Sequence, residues 1–124
     1  MPAFSNLDGH RYLSLTTYRK SGEAVPTPIW FAKDGDTLYA ITMEQSGKVK
    51  RIRHTAQVEV SPCTSSGEIL GEAAAGLARV LDADGAEAAN ANAALDRRYG
   101  AEKARVEANN PDSVRVFLAV VPSI

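Results

Sequence analysis

Two prolines, Pro26 and Pro28, stand two residues apart inside a run, Ala24 to Lys33, whose Val25, Ile29, Trp30 and Phe31 otherwise read as a β-strand. Proline has no amide hydrogen to give to a sheet ladder, so a strand carrying two of them is confined to an edge or a bulged position. The sheet this chain builds must therefore leave one margin that no neighbouring strand fully covers, and something else is free to use it.

The segments on either side are short strands separated by turn signals. His10 to Arg19, with Tyr12, Leu13, Leu15, Thr16, Thr17 and Tyr18, carries aromatic and β-branched residues in near alternation and predicts a first strand. Lys20-Ser21-Gly22-Glu23 turns the chain into the proline-bearing strand. Asp34-Gly35-Asp36 turns it again, into Thr37 to Thr42. Beyond Ser46, a good N-cap residue, Val49 and Ile52 lie at helical spacing among basic residues and predict one to two helical turns over Lys48 to His54. Ala56 to Pro62 alternates as a fourth strand and Thr64-Ser65-Ser66-Gly67 turns. Glu72 to Asp82 reads as a fifth, although its alanines pull towards helix. Asp84 to Tyr99, with Ala88, Ala91, Leu95 and Tyr99 three or four apart, predicts an amphipathic helix stopped at Gly100. A shorter helix over Ala101 to Ala108 is expected next, broken at Asn109-Asn110-Pro111-Asp112. Ser113 to Val121 closes the chain as an apolar strand covered on both faces.

Six short strands with hairpin turns and helix inserted before the last describe a mainly β chain, a six-stranded antiparallel barrel or sandwich formed by one domain over residues 1–124. At 124 residues one core is feasible, with roughly two-thirds of the unfolded chain's surface buried. Such a small barrel has little apolar area to spare, so pairing of two copies is expected. A composition of 44% hydrophobic and 23% charged residues is that of a folded domain. The net charge of -1 creates no field that would gather nucleic acid or anionic lipid, so any anion site must be local. Cys63 is the sole cysteine, which excludes an intrachain disulfide and fits a reducing compartment, the cytoplasm by default. Met1 to Gly9 lacks a basic stretch followed by a long apolar run, and no 18 consecutive apolar residues occur. Neither secretion nor membrane insertion is expected.

The chemistry is concentrated in Thr42-Met43-Glu44-Gln45-Ser46-Gly47-Lys48-Val49-Lys50-Arg51-Ile52-Arg53. A strand ends, a Ser-Gly pair turns the chain and a helix begins, so the amides of Gly47 and Lys48 point out of a helix N-terminus, where phosphate binds readily. Gly47 permits close approach, and Ser46 and Thr42 offer hydroxyls. At about 100° per residue, Lys48 and Arg51 flank the Val49/Ile52 stripe while Lys50 and Arg53 point further out. Two other readings compete: a basic turn that is merely a solvated face, and nucleic-acid binding by Lys48 to His54, which lacks interleaved aromatics. Neither GxxxxGK[ST] nor GxGxxG is present. His10 and His54 lack metal-ligand spacing and read as surface residues, with haem ligation by one of them as the alternative. Cys63 reads as a small buried thiol.

The run from Tyr12 to Cys63, above all the TPIWF strand and the T-x-x-x-S-G-K-x-K-R helix entry, resembles the pyridoxamine 5'-phosphate oxidase-like split-barrel superfamily. Within it the run is closest to the branch of deazaflavin (coenzyme F-420)-dependent reductases. The resemblance covers Arg11 to Val80 and extends more weakly to Tyr99-Gly100. It implies a split barrel, a homodimer and a cofactor lying across the second and third strands. Thr27, Pro28, Ile29 and Trp30 would line the ring system and Ile41 and Thr42 would flank the linker. Ser46, Gly47, Lys48, Lys50 and Arg51 would hold the phosphate; without the resemblance, Trp30 reads as a core aromatic. Flavin-using oxidases of the superfamily often carry an arginine in the second strand, and VPTPIWF has none, which favours F-420 with FMN as the alternative. The implied activity is an oxidoreductase passing a hydride between the cofactor and a small organic acceptor. A non-catalytic flavin or deazaflavin carrier is the contrasting function.

Overall fold

The computed structural model describes residues 3–82, 84–109 and 115–123, giving the backbone path alone over 101–109. A short 3-10 turn, Ser5–Leu7, precedes seven strands: β1 (Tyr12–Tyr18), β2 (Ala24–Trp30), β3 (Ala32–Asp34), β4 (Thr37–Met43), β5 (Gln57–Cys63), β6 (Ala74–Val80) and β7 (Arg115–Pro122). Helix α1 (Gly47–His54) lies between β4 and β5, and α2 (Ala86–Asn109) between β6 and β7. One antiparallel sheet takes all seven strands in the order β2-β1-β5-β6-β7-β4-β3. β2 and β4 come into contact although they are not laddered, so the sheet curls into a half-barrel.

The six expected strands become seven because the proline-bearing strand breaks at Phe31. Its first part, β2, pairs with β1 in the register Ser14↔Pro28 and Thr16↔Pro26; its second part, β3, pairs with β4 from Ala32↔Tyr39 to Asp34↔Thr37. One continuous stretch of chain thus leaves one end of the sheet and joins the other. Because neither proline can donate, both must occupy pairs whose backbone polar groups face away from β1; the ladder is carried by Val25, Thr27 and Ile29. The outer margin of β2 consequently presents carbonyls, without amides, at positions 26 and 28.

Alternation along the strands sorts the apolar residues into two clusters. Leu13, Leu15, Leu38, Ala40, Val58, Val60, Ala78, Leu118 and Val120 fill the barrel interior, and Ile52 of α1 plugs one end. On the outer face Ala88, Ala91, Leu95 and Tyr99 of α2 cover Ala32, Tyr39 and Ala119. β7 is covered on both sides for that reason. The helical path of α2 is interrupted at Gly100, with φ 25° and ψ -95°, where the sequence places a stop; the break expected after Asn109 lies outside the described residues apart from Asn109 itself. The β6 alanines form a strand because they alternate between the interior and the exposed face, a tertiary demand that overrides their helix preference.

Tyr99 fastens the break in the second strand. Its hydroxyl accepts the Phe31 amide at 3.2 Å and lies within donating distance of the carbonyls of Phe31 (2.5 Å) and Arg11 (2.8 Å). The ring stacks on Trp30 at 4.9 Å with the planes 10° apart. Arg98 caps the same spot, donating to the carbonyls of Phe31 and His10 with its guanidinium over the Phe31 ring. Tyr99→Phe leaves a buried amide unsatisfied and is expected to destabilise the fold by about 1–3 kcal/mol in urea unfolding. Tyr39→Phe, which loses a hydroxyl bonded to the side chain of Glu87, is expected to cost less.

Candidate functional site

The break at Phe31 opens a split in the barrel wall. Laddering of β4 to β3 stops at Tyr39↔Ala32 and laddering of β2 to β1 begins at Trp30↔Tyr12. Beyond these points β2 and β4 keep a limited contact but share no ladder. Of the residues expected to line a ring system, Ile29 packs against the interior core. Thr27 is half-buried and Pro28 exposed, with the Gly67 turn packed near its ring. Trp30 and Ile41 are half-buried on the outer face, on opposite lips of the split, both packed against the cluster that contains Tyr99. Thr42 is half-buried and pairs with Val116 of β7.

From β4 the chain turns at Ser46, whose amide bonds the Met43 carbonyl at 3.1 Å, and enters α1. Val49 and Ile52 are buried, which fixes the rotation of the helix: Lys48 and Arg51 come out half-buried, Lys50 and Arg53 exposed. Of the basic residues expected at a phosphate, the structure therefore brings Lys48 and Arg51 to the N-terminal turn and places Lys50 on the open side. A Cβ built on Gly47 would lie 2.6 Å from Nη1 of Arg51, so the guanidinium rests against the glycine backbone.

The electrostatics of this corner are one-sided. The first turn of α1 carries no acidic residue. Its free amides and the positive end of the helix dipole face two cations where a carboxylate would be favourable. Burial, and behind it the charge of Arg51, holds the Lys48 ammonium below its ordinary value; burial and then Arg19 do the same to Arg51. Among the described residues no ion pair involves either cation. Ser46 occupies the N-cap position with extended backbone angles, yet its hydroxyl caps nothing and is buried without a hydrogen-bond partner. An unmade hydrogen bond of this kind costs about 1–3 kcal/mol. An orphaned hydroxyl, free first-turn amides and two desolvated cations form a donor set that fits a phosphate.

Sequence reasoning assigned no role at the site to two residues that hold this geometry, Thr17, read as a strand residue, and Tyr99, read as part of the apolar helix face. Thr17 of β1 accepts a hydrogen bond from Nε of Arg51 at 2.6 Å, and Tyr99 of α2 fastens the split. Their partners lie 34 and 68 positions away in sequence, beyond the reach of periodicity. His54 is exposed at the end of α1, and Cys63 is buried with its thiol pushed up by desolvation.

A curled antiparallel half-barrel whose wall is interrupted where β2 gives way to β3, with a short helix between β4 and β5, defines the class of split barrels. The chain belongs to the pyridoxamine 5'-phosphate oxidase family, whose pattern matches residues 3–123. No curated protein matches it. Among solved structures it is similar to a haem storage protein, HutZ, from Vibrio cholerae (TM-score 0.73, 13% identity, covering 94% of this chain and 84% of that one). It is also similar to an FAD-binding protein from Mesorhizobium loti (0.70, 17%, 96% and 84%). A protein described as an F420 reductase matches at a TM-score of 0.57 with 20% identity over 98% of this chain and 94% of its own. At these identities the likeness is one of fold. Among the described residues no helix is long and apolar enough to cross a membrane.

The lowered Lys48 sets a pH dependence whose sign is fixed. At neutral pH the lysine is charged in the folded and unfolded chain alike, and folding works against that charge. The opposition fades as pH rises through the folded value and is gone above the ordinary 10.5. In anion-free buffer at pH 7, Lys48→Met is therefore expected to raise the thermal midpoint, by less as the pH approaches that value. Scanning calorimetry in saturating pyrophosphate is expected to reverse the ranking of wild type and variant.

Proposed function

We propose that the protein is an oxidoreductase that binds coenzyme F-420, with FMN as the alternative, and works as a homodimer on a small organic acceptor. The observation that carries this reading is the buried, unpartnered Ser46 hydroxyl at a helix start where Lys48 and Arg51 are desolvated without an acid to pair them. Such a corner is unfavourable by itself and becomes favourable with a phosphate. Family membership and the fold-level likeness to proteins named for FAD and F420 support the cofactor class. The absence of arginine from β2 supports the deazaflavin over FMN.

In this reading Ser46, the amides of Gly47 and Lys48, and the Lys48 and Arg51 side chains bind the phosphate, with Lys50 adding charge from the open side. Thr27, Pro28, Ile29 and Trp30 line the ring along the unladdered margin of β2, while Ile41 and Thr42 flank the linker from β4. The bound cofactor supplies the hydride chemistry; these residues bind, orient and exclude water. No side chain is assigned a proton. Exposed Ile69, Leu70 and Leu77 offer apolar surface for pairing of two copies.

Titration with coenzyme F-420 and with FMN tests the reading on wild type, Lys48→Ala and Arg51→Ala. Each variant loses a charge-assisted contact of about 1.5–3 kcal/mol, so affinity is expected to fall at least tenfold. Variants that bind both cofactors as tightly as wild type refute the phosphate assignment. Turnover of reduced cofactor over an acceptor panel separates an enzyme from a carrier, and sedimentation is expected to give two copies per particle.

A further inference from the structure

We infer that Thr17 is a positioning residue for anion binding, its hydroxyl holding the Arg51 guanidinium over the first turn of α1. The inference rests on the phosphate reading above and extends it to a residue on a different strand, inside the barrel. Thr17 is 1% exposed, and its hydroxyl lies 2.6 Å from Nε of Arg51. The same hydroxyl is 3.5 Å from the carbonyl of Val25, its partner across the β1–β2 register, to which it can donate while accepting from the arginine.

Three observations make this contact more than packing. Held by Nε, Arg51 keeps both terminal nitrogens available, and they lie against Gly47, where the would-be Cβ sits 2.6 Å from Nη1 and 3.6 Å from Nη2. The guanidinium therefore stands beside the amides that open the helix. Second, like charges oppose this placement: Lys48 and Arg19 act on Arg51 and, although Arg19 is paired with Glu23 at 2.7 Å, no ion pair among the described residues involves Arg51 itself. A flexible side chain under that repulsion would move to solvent unless something on the protein held its stem. Third, among the described residues Thr17 is the one neutral acceptor that Arg51 is seen to bond, and it is itself buried in a strand.

The test uses the full-length chain and pairs each cofactor with its phosphate-free riboside: FMN with riboflavin, and F-420 with its deazaflavin riboside. Thr17→Val removes the hydroxyl at nearly constant shape. It is expected to weaken the phosphorylated ligand by about tenfold, the scale of one charge-assisted hydrogen bond, while riboside affinity stays at the wild-type level. Thr17→Ser is expected to restore the difference, and Thr17→Val in an Arg51→Ala background to add nothing further. If Thr17→Val binds the phosphorylated ligand like wild type, or loses ligand and riboside equally, Thr17 does not position Arg51. If wild type itself fails to prefer the phosphorylated ligand, the anion site is refuted and this role with it.

Discussion

Everything in this structure depends on what happens to the backbone at Phe31. There the chain gives up its ladder with β1 and takes up another with β4, and a peptide group between two ladders must find its hydrogen bonds elsewhere. Tyr99 and Arg98 supply them, with Trp30 stacked on the tyrosine ring. The transfer ties the two ends of the sheet together at one point and leaves them apart above it. The helix that covers the outer face is thus also the pin of the closure, through Tyr99 in the last helical turn before Gly100.

The second organising element is electrostatic. Helix α1 is anchored by two buried apolar residues, Val49 and Ile52, and that rotation forces Lys48 and Arg51 inward against the positive end of their own helix. Most proteins place acids there. The arrangement opposes folding by itself, and a bound anion of the kind proposed above would relieve it.

The hairpins, the edge character of the proline strand, the helix after Ser46 and the stop at Gly100 were all legible, because each rests on a local rule: a missing amide, a period, a cap or a glycine. Lys48 and Arg51 could be separated from Lys50 and Arg53 by helical phase alone. The break at Phe31 was not legible, since nothing in AVPTPIWFAKD marks where one ladder ends and another begins; that is decided by Tyr99, 68 positions away. Thr17 was hidden for the same reason. It is a strand residue of ordinary type whose role exists only because α1 folds back onto β1. Strand alternation puts Trp30 and Ile41 on the outer face, and the docking of α2 is what half-buries them there.

The prolines of β2 have a last consequence. An open sheet margin is normally a hazard, because a stranger's backbone can zip onto its alternating donors and acceptors. At positions 26 and 28 this rim offers acceptors alone, so an incoming chain would find half of its partners missing. The residues that keep the wall open thereby also guard it against fibril-like growth.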